Sequence, residues 1–183
     1  MGKLFVISGA SGVGKSTVLK QVMAARNDLR FSVSATTRAP RPGEVDGVHY
    51  CFVSKEKFED MIANGEFAEY SAHAANYYGT PQSQLDEKLK EGNVVLDIEP
   101  NGAFQVLKAR NDAVLIFIMP PSVEELTRRL RGRGDTSEEQ MRMRLERADW
   151  EMSQSAFYHY VVINSQVDAC AEEILNIIAK EAD

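Results

Sequence analysis

Gly9-Ala10-Ser11-Gly12-Val13-Gly14-Lys15-Ser16 is the stretch on which the reading of this chain turns. It is a complete G-x-x-x-x-G-K-[ST] loop, and its flanks give it a structural context. Leu4-Phe5-Val6-Ile7 before it is a short apolar run of buried-strand character. Thr17 to Ala25 after it spaces Val18, Leu19, Val22 and Met23 as one face of a helix. Glycines between a strand and a helix start let successive backbone N–H groups point into one concavity, and the helix N-terminus adds partial positive charge. Such a loop cradles phosphates, with Lys15 reaching the β- and γ-phosphates of a nucleotide and the Ser16 hydroxyl directed at Mg²⁺. A glycine-rich turn that merely opens a helix would not need all three fixed residues in this order.

Outward from the loop, strand-like runs fall at 4–8, 31–34, 50–53, 67–71, 94–98, 114–119 and 160–164. Those at 4–8, 94–98, 114–119 and 160–164 are nearly continuous apolar runs separated by helical patterns, as in a parallel sheet covered on both faces. Helix starts are legible at Ser54, at Thr80-Pro81, and in the capping boxes Ser122-Val123-Glu124-Glu125 and Ser137-Glu138-Glu139-Gln140. A last helix spans about 168–180, with Ala171, Ile174, Leu175 and Ile178 on one face. Residues 34–90 have another texture, with alternating strands such as Glu66-Phe67-Ala68-Glu69-Tyr70 divided by short turns. They predict a small mixed α/β insertion. The segment 126–149 predicts a second, helical one.

With 183 residues, 44% hydrophobic and 26% charged, the chain has the composition of one ordinary globular domain. No apolar run approaches the roughly 20 residues of a membrane span, no secretory leader is visible, and Val6 breaks an N-myristoylation pattern. Cys51 and Cys170 show no metal spacing, so the expectation is a reducing cytoplasm without disulfides. A net charge of −6 argues against a general nucleic-acid binder. Yet Arg128, Arg129, Arg131, Arg133, Arg142, Arg144 and Arg147 crowd into one segment, which points to a small, highly anionic ligand.

A second constellation begins at Thr36-Thr37-Arg38-Ala39-Pro40-Arg41-Pro42-Gly43-Glu44. Prolines stiffen this loop, and two guanidinium forks suit a phosphate dianion. Tyr50 and Tyr78 offer hydroxyl donors to the same group, and Glu69 offers a carboxylate to a base edge bearing N–H donors.

These motifs, with Asn76-Tyr77-Tyr78-Gly79, Leu96-Asp97-Ile98, Pro120-Pro121-Ser122 and Arg131-Gly132-Arg133-Gly134, stand in an order that resembles the guanylate kinases over essentially the whole chain. The resemblance implies a three-layer α/β P-loop fold with a parallel core sheet (1–33, 91–125 and 150–183), a mixed GMP-binding subdomain (34–90) and a helical lid (126–149). The implied activity is transfer of the γ-phosphoryl of ATP to GMP or dGMP, with Mg²⁺ as cofactor. By position, Gly9, Ala10, Ser11, Gly12, Val13, Gly14, Lys15, Ser16, Thr17, Arg133 and Asn164 take ATP, Asn164 near adenine. Ser34, Arg38, Arg41, Tyr50, Glu69, Tyr78, Thr80 and Glu99 take GMP. Ser16 would hold the metal directly and Asp97 through water. Lys15, Arg38, Asp97, Arg129, Arg133 and Arg144 carry the chemistry.

The partners expected are these small molecules, with no nucleic acid, no membrane, and a homo-oligomer as an open option. Two positions depart from the family pattern. Glu99-Pro100 replaces a shorter aspartate and an unrestricted residue, and Ala75 stands where glycine often precedes Asn-Tyr-Tyr-Gly. The competing class is a non-catalytic guanylate-kinase-like module that binds phosphopeptide. It would have no use for Lys15, Asp97 or the lid arginines. A GTPase switch lacks its Asn-Lys-x-Asp motif here. His49, His73 and His159 are expected at the surface or in packing, Arg128, Arg131, Arg142 and Arg147 as solvated charges, and Met141, Leu145, Ala148 and Met152 as core.

Overall fold

The computed structural model describes residues 1–73, 75–132 and 137–182. Two sheets organise them. Strands β1 (Leu4–Gly9), β2 (Leu29–Phe31), β7 (Asn93–Asp97), β8 (Val114–Met119) and β9 (Tyr160–Ile163) form an all-parallel sheet in the order β2-β7-β1-β8-β9. Alternation along β1 shows why it is buried on both sides. Phe5 and Ile7 point to one face, where α1 (Lys15–Ala25) and α7 (Val167–Ala182) pack through Val18, Val22, Ile174 and Ile178. Leu4 and Val6 point to the other, against Leu85 and Leu89 of α3 (Gln82–Glu91) and Ala103 and Val106 of α4 (Pro100–Ala109). This is the helix–sheet–helix core expected from the apolar runs.

A second sheet, β4-β3-β6-β5, is built from β3 (Ala35–Thr36), β4 (Cys51–Phe52), β5 (Phe67–His73) and β6 (Asn76–Pro81), with α2 (Lys55–Ala63) beside it. Its β5–β6 and β3–β6 pairs are antiparallel and its β3–β4 pair parallel. Phe58 of α2 stacks on Phe67 at 4.3 Å and on Tyr77 at 5.2 Å, giving this smaller layer an aromatic core. The remaining helices are α5 (Val123–Arg131) and α6 (Glu138–Ser153), followed by a 3₁₀ turn at Gln154–Phe157. Ser54, Ser122 and Ser137 each accept a backbone N–H at the third residue beyond, as N-caps do.

Two boundaries differ from the sequence expectation. The second core strand lies at Leu29–Phe31 rather than 31–34, because pairing with Asn93–Val95 sets its limits. Residues 76–81 form a strand, so Pro81 caps α3 instead of opening it. The pairs Glu69↔Thr80 and Ser71↔Tyr78 hold that segment extended despite Gly79 and Pro81.

In the core sheet the chain departs from β1 to β2 and β7 on one side and to β8 and β9 on the other. Loops at the carboxyl ends of β1, β7 and β9 therefore gather at a switch point, where α/β sheets bind their ligands.

Candidate active site

At that switch point lies a cavity of about 850 Å³. One wall is the glycine-rich loop, Gly9 to Thr17; the opposite wall is Ser34, Arg41, Tyr50, Glu69, Tyr78 and Glu99. Arg144, Arg147 and Glu151 of α6 line it from a third side, and Asp97 lies at its floor.

The loop takes its shape from local chemistry. Gly12 and Gly14 stand at φ 89° and 96°, and Gly14 forms the N-cap of α1. A Cβ at Gly14 would lie 2.9 Å from Asn164 Nδ2, so both conformation and space demand glycine there. Ser11 N–H donates to Glu151 Oε2 at 2.8 Å, which ties the loop to α6. Behind the loop, the Val13 carbonyl accepts from Asn164 Nδ2 at 2.8 Å and from Arg129 Nη1 at 3.0 Å. Arg129 also donates to the Asn164 carbonyl and to Glu125. Arg129 and Asn164 thus meet at the back of the loop.

Lys15 Nζ donates to Asp97 Oδ1. The register Ile7↔Asp97 explains the meeting, since Asp97 ends the strand beside β1. Ser16 and Asp97 both line the cavity and offer hard oxygen donors there. Among the described residues no three acidic, His or Cys side chains cluster into a metal cage. A cation there would draw most of its ligands from phosphate oxygens and water, which is how magnesium is held beside nucleotides.

Beside the opposite wall, Glu44 grips Arg38 in a bidentate pair, 2.9 Å at each oxygen, and accepts the N–H of the wall residue Arg41 at 2.7 Å. Those contacts, the Arg38 bond foremost, hold the Glu44 carboxyl down at about 2, so it stays anionic and the loop keeps its shape. The Arg38 guanidinium lies 5.3 Å over the Tyr50 ring, and Tyr50 meets Tyr78 edge-on at 6.1 Å. Burial raises the Tyr50 hydroxyl above its ordinary value and keeps it a donor. Arg41, Tyr50 and Tyr78 thus line the cavity from the turn after β3, the residue before β4, and β6, while Arg38 lies beside Tyr50 with its guanidinium held by Glu44 rather than in the cavity lining.

Deeper, Glu69 is 4% exposed and accepts from Thr80 Oγ1 at 2.6 Å. Its other oxygen abuts Gly102, where any Cβ would collide with it. Burial pushes this carboxyl up to about 7, against the pull of the Thr80 hydrogen bond and with the Glu99 charge adding to the rise.

Sequence reasoning missed Glu151 and misjudged Arg147. Glu151, 4% exposed, holds both Ser11 and Arg147. Arg147, expected as a solvated charge, donates to Glu99 Oε2 at 2.8 Å and to Glu151 Oε1 at 3.0 Å. Its Nη1 lies 2.6 and 2.7 Å from the ring nitrogens of His73, which therefore also belongs to the cavity wall. Arg128, Arg131 and Arg142 are exposed, as expected. Arg133 lies outside the described residues.

The sequence model of the guanylate kinase family matches residues 1–181. A guanylate kinase of Prochlorococcus marinus is 45% identical over 177 residues, covering 96% of each chain. One of Clostridioides difficile is 46% identical over 181 residues, 98% of this chain and 88% of that one. The crystal structure of guanylate kinase from Anaplasma phagocytophilum superposes with a TM-score of 0.81 at 35% identity, over 99% of this chain and 86% of that chain. With a phosphate loop at the switch point of its parallel sheet and matches that run nearly end to end, the chain belongs to the guanylate kinase family.

Proposed function

We propose that the chain is an ATP:GMP phosphotransferase, producing ADP and GDP, with dGMP as an alternative acceptor. The observation that carries this reading is a single cavity with two different walls. One is a loop suited to a triphosphate; the other combines Arg41, Tyr50 and Tyr78 for a monophosphate with the buried Glu69 and the half-buried Glu99 for a base.

The acceptor phosphate oxygen is already ionised near neutral pH, so no side-chain base is needed. The barrier lies in bringing two polyanions into line and in stabilising charge on the equatorial oxygens. Lys15 and the N–H groups of Gly9 to Thr17 take the donor phosphates. Arg38, Arg41, Tyr50 and Tyr78 hold the acceptor phosphate. Ser34, Glu69, Thr80 and Glu99 read the guanine, whose N1–H and amino group donate to carboxylates. Ser16, and Asp97 through water, would hold Mg²⁺, which supplies charge neutralisation on the phosphates when bound.

Arg129, Arg133 and Arg144 stabilise the transferring group once the lid, 126–149, folds over the core. The GMP-binding subdomain, 34–90, closes from the other side. Closure removes water, the competing acceptor.

A chain of these dimensions with cysteines 51 and 170 both free suits the cytoplasm, and we place it there with small-molecule substrates as its partners, needing neither nucleic acid nor membrane. No helix among the described residues is long and apolar enough to cross a membrane. A phosphopeptide-binding module would leave Lys15 and Asp97 without a task. Lys15→Met tests the difference. Turnover should fall by at least about 10³-fold, with GMP binding by calorimetry within about twofold of the parent. Retained turnover would remove Lys15 from the mechanism, and a parent without turnover would restore the binding-module reading.

A further inference from the structure

Arg147 joins Glu99, on the wall assigned to the base, to Glu151, which in turn holds the loop assigned to ATP. Its guanidinium donates to two carboxylates from different elements, Nη2 to Glu99 after β7 and Nε to Glu151 further along α6, and its Nη1 lies against the His73 ring at the end of β5. Glu151 passes the connection to Ser11 of the phosphate loop at 2.8 Å. A continuous chain of hydrogen bonds therefore runs from Ser11 through Glu151 and Arg147 to Glu99.

Glu99 needs such a hold. It is a glutamate with three side-chain torsions, it lies close enough to Glu69 for the two charges to repel, and Pro100 behind it fixes only the backbone. A planar guanidinium fork can pin one rotamer of that carboxylate, where a lysine would supply charge without the same geometry.

We propose that Arg147 is a positioning residue for base recognition, fixing Glu99 at the guanine end of the cavity and tying it through Glu151 to the phosphate loop. The inference rests on the reading that Glu69 and Glu99 receive the guanine edge. A site whose carboxylates are aimed at the guanine amino group rejects a base that lacks it, because its buried acceptors are then left unpaired. Losing Arg147 lets Glu99 move and weakens that rejection.

The test uses the full chain with ATP, Mg²⁺ and two acceptors, GMP and IMP, the latter lacking the 2-amino group. Arg147→Met should raise KM for GMP about tenfold and lower the GMP:IMP ratio of kcat/KM about tenfold, with kcat within about threefold. Arg147→Lys should recover only part of the ratio and, by keeping the charge, keeps the comparison open if the Met variant folds poorly. Combining Arg147→Met with Glu99→Gln should be no worse than the more severe single variant, as for two residues that act through one contact.

An unchanged ratio in Arg147→Met overturns the proposal. So does a loss confined to kcat, which would make Arg147 a phosphoryl-transfer group, or a double variant whose losses multiply. Glu69→Gln is the reference. If it also leaves the GMP:IMP ratio unchanged, the base-reading assignment is at fault and the proposal falls with it. If Glu69→Gln lowers the ratio and Arg147→Met does not, only the role of Arg147 is wrong.

Discussion

Glu69 shows what burying a single carboxyl at the cavity costs the free protein. Burial lifts its carboxyl from an ordinary 4.5 to about 7. Between those values the folded chain keeps a proton that the unfolded chain has released. The stability this group contributes is whole below about pH 4.5 and is lost as pH climbs to about 7, roughly 3 kcal/mol in all. Glu69→Gln removes the titration. By urea denaturation the variant should gain on the parent across that window and lead it by up to about 3 kcal/mol at pH 8, while binding GMP more weakly. A stability difference that ignores pH would contradict the burial argument.

On the proposed assignment guanine donates to the ionised form, so the parent's KM for GMP should fall as pH rises through about 7. That Glu69 belongs among the cavity residues was legible in the sequence from family position. Its burial was not, because Gly102 and Thr80, which enclose it, lie 33 and 11 residues away. Arg147 was less legible still. The sequence offers its partner Glu151 four residues on, but nothing local announces Glu99 or His73.

Among the elements, those with local signals were read best. The phosphate loop is contiguous, its strand is apolar and its helix amphipathic, so three levels of evidence agree. The caps at Ser54, Ser122 and Ser137 were likewise written in neighbouring residues. Strand β6 was not, because Gly79 and Pro81 contradict a strand and only pairing with β5 overrides them. Its hairpin carries a visible cost. Ala75 has φ 66°, the only positive φ outside glycine among the described residues, and a Cβ crowds its backbone in that region. Ala75→Gly should raise stability by about 1 kcal/mol with kcat unchanged, measured by urea denaturation and steady-state rates. A loss of stability would mean that the hairpin tolerates the alanine without strain.

Taken together, the parallel sheet fixes where the cavity lies, and the excursions from it decide what the cavity holds. The second sheet brings Tyr78 and Glu69, the turns around β3 and β4 bring Arg38, Arg41 and Tyr50, and α6 brings Arg144, Arg147 and Glu151. On the proposed closure of 34–90 and 126–149, GMP and a non-hydrolysable ATP analogue together should shrink the radius of gyration in small-angle scattering more than either alone. An unchanged profile would count against closure.

The most direct measurement is ADP formation from ATP and Mg²⁺ with GMP, AMP, UMP and CMP offered separately. Rapid turnover with GMP and little with the other three is the expected result, since only guanine presents the N1–H and amino donors that Glu69 and Glu99 accept. Equal use of AMP, or turnover with none of the four from folded protein, would contradict it.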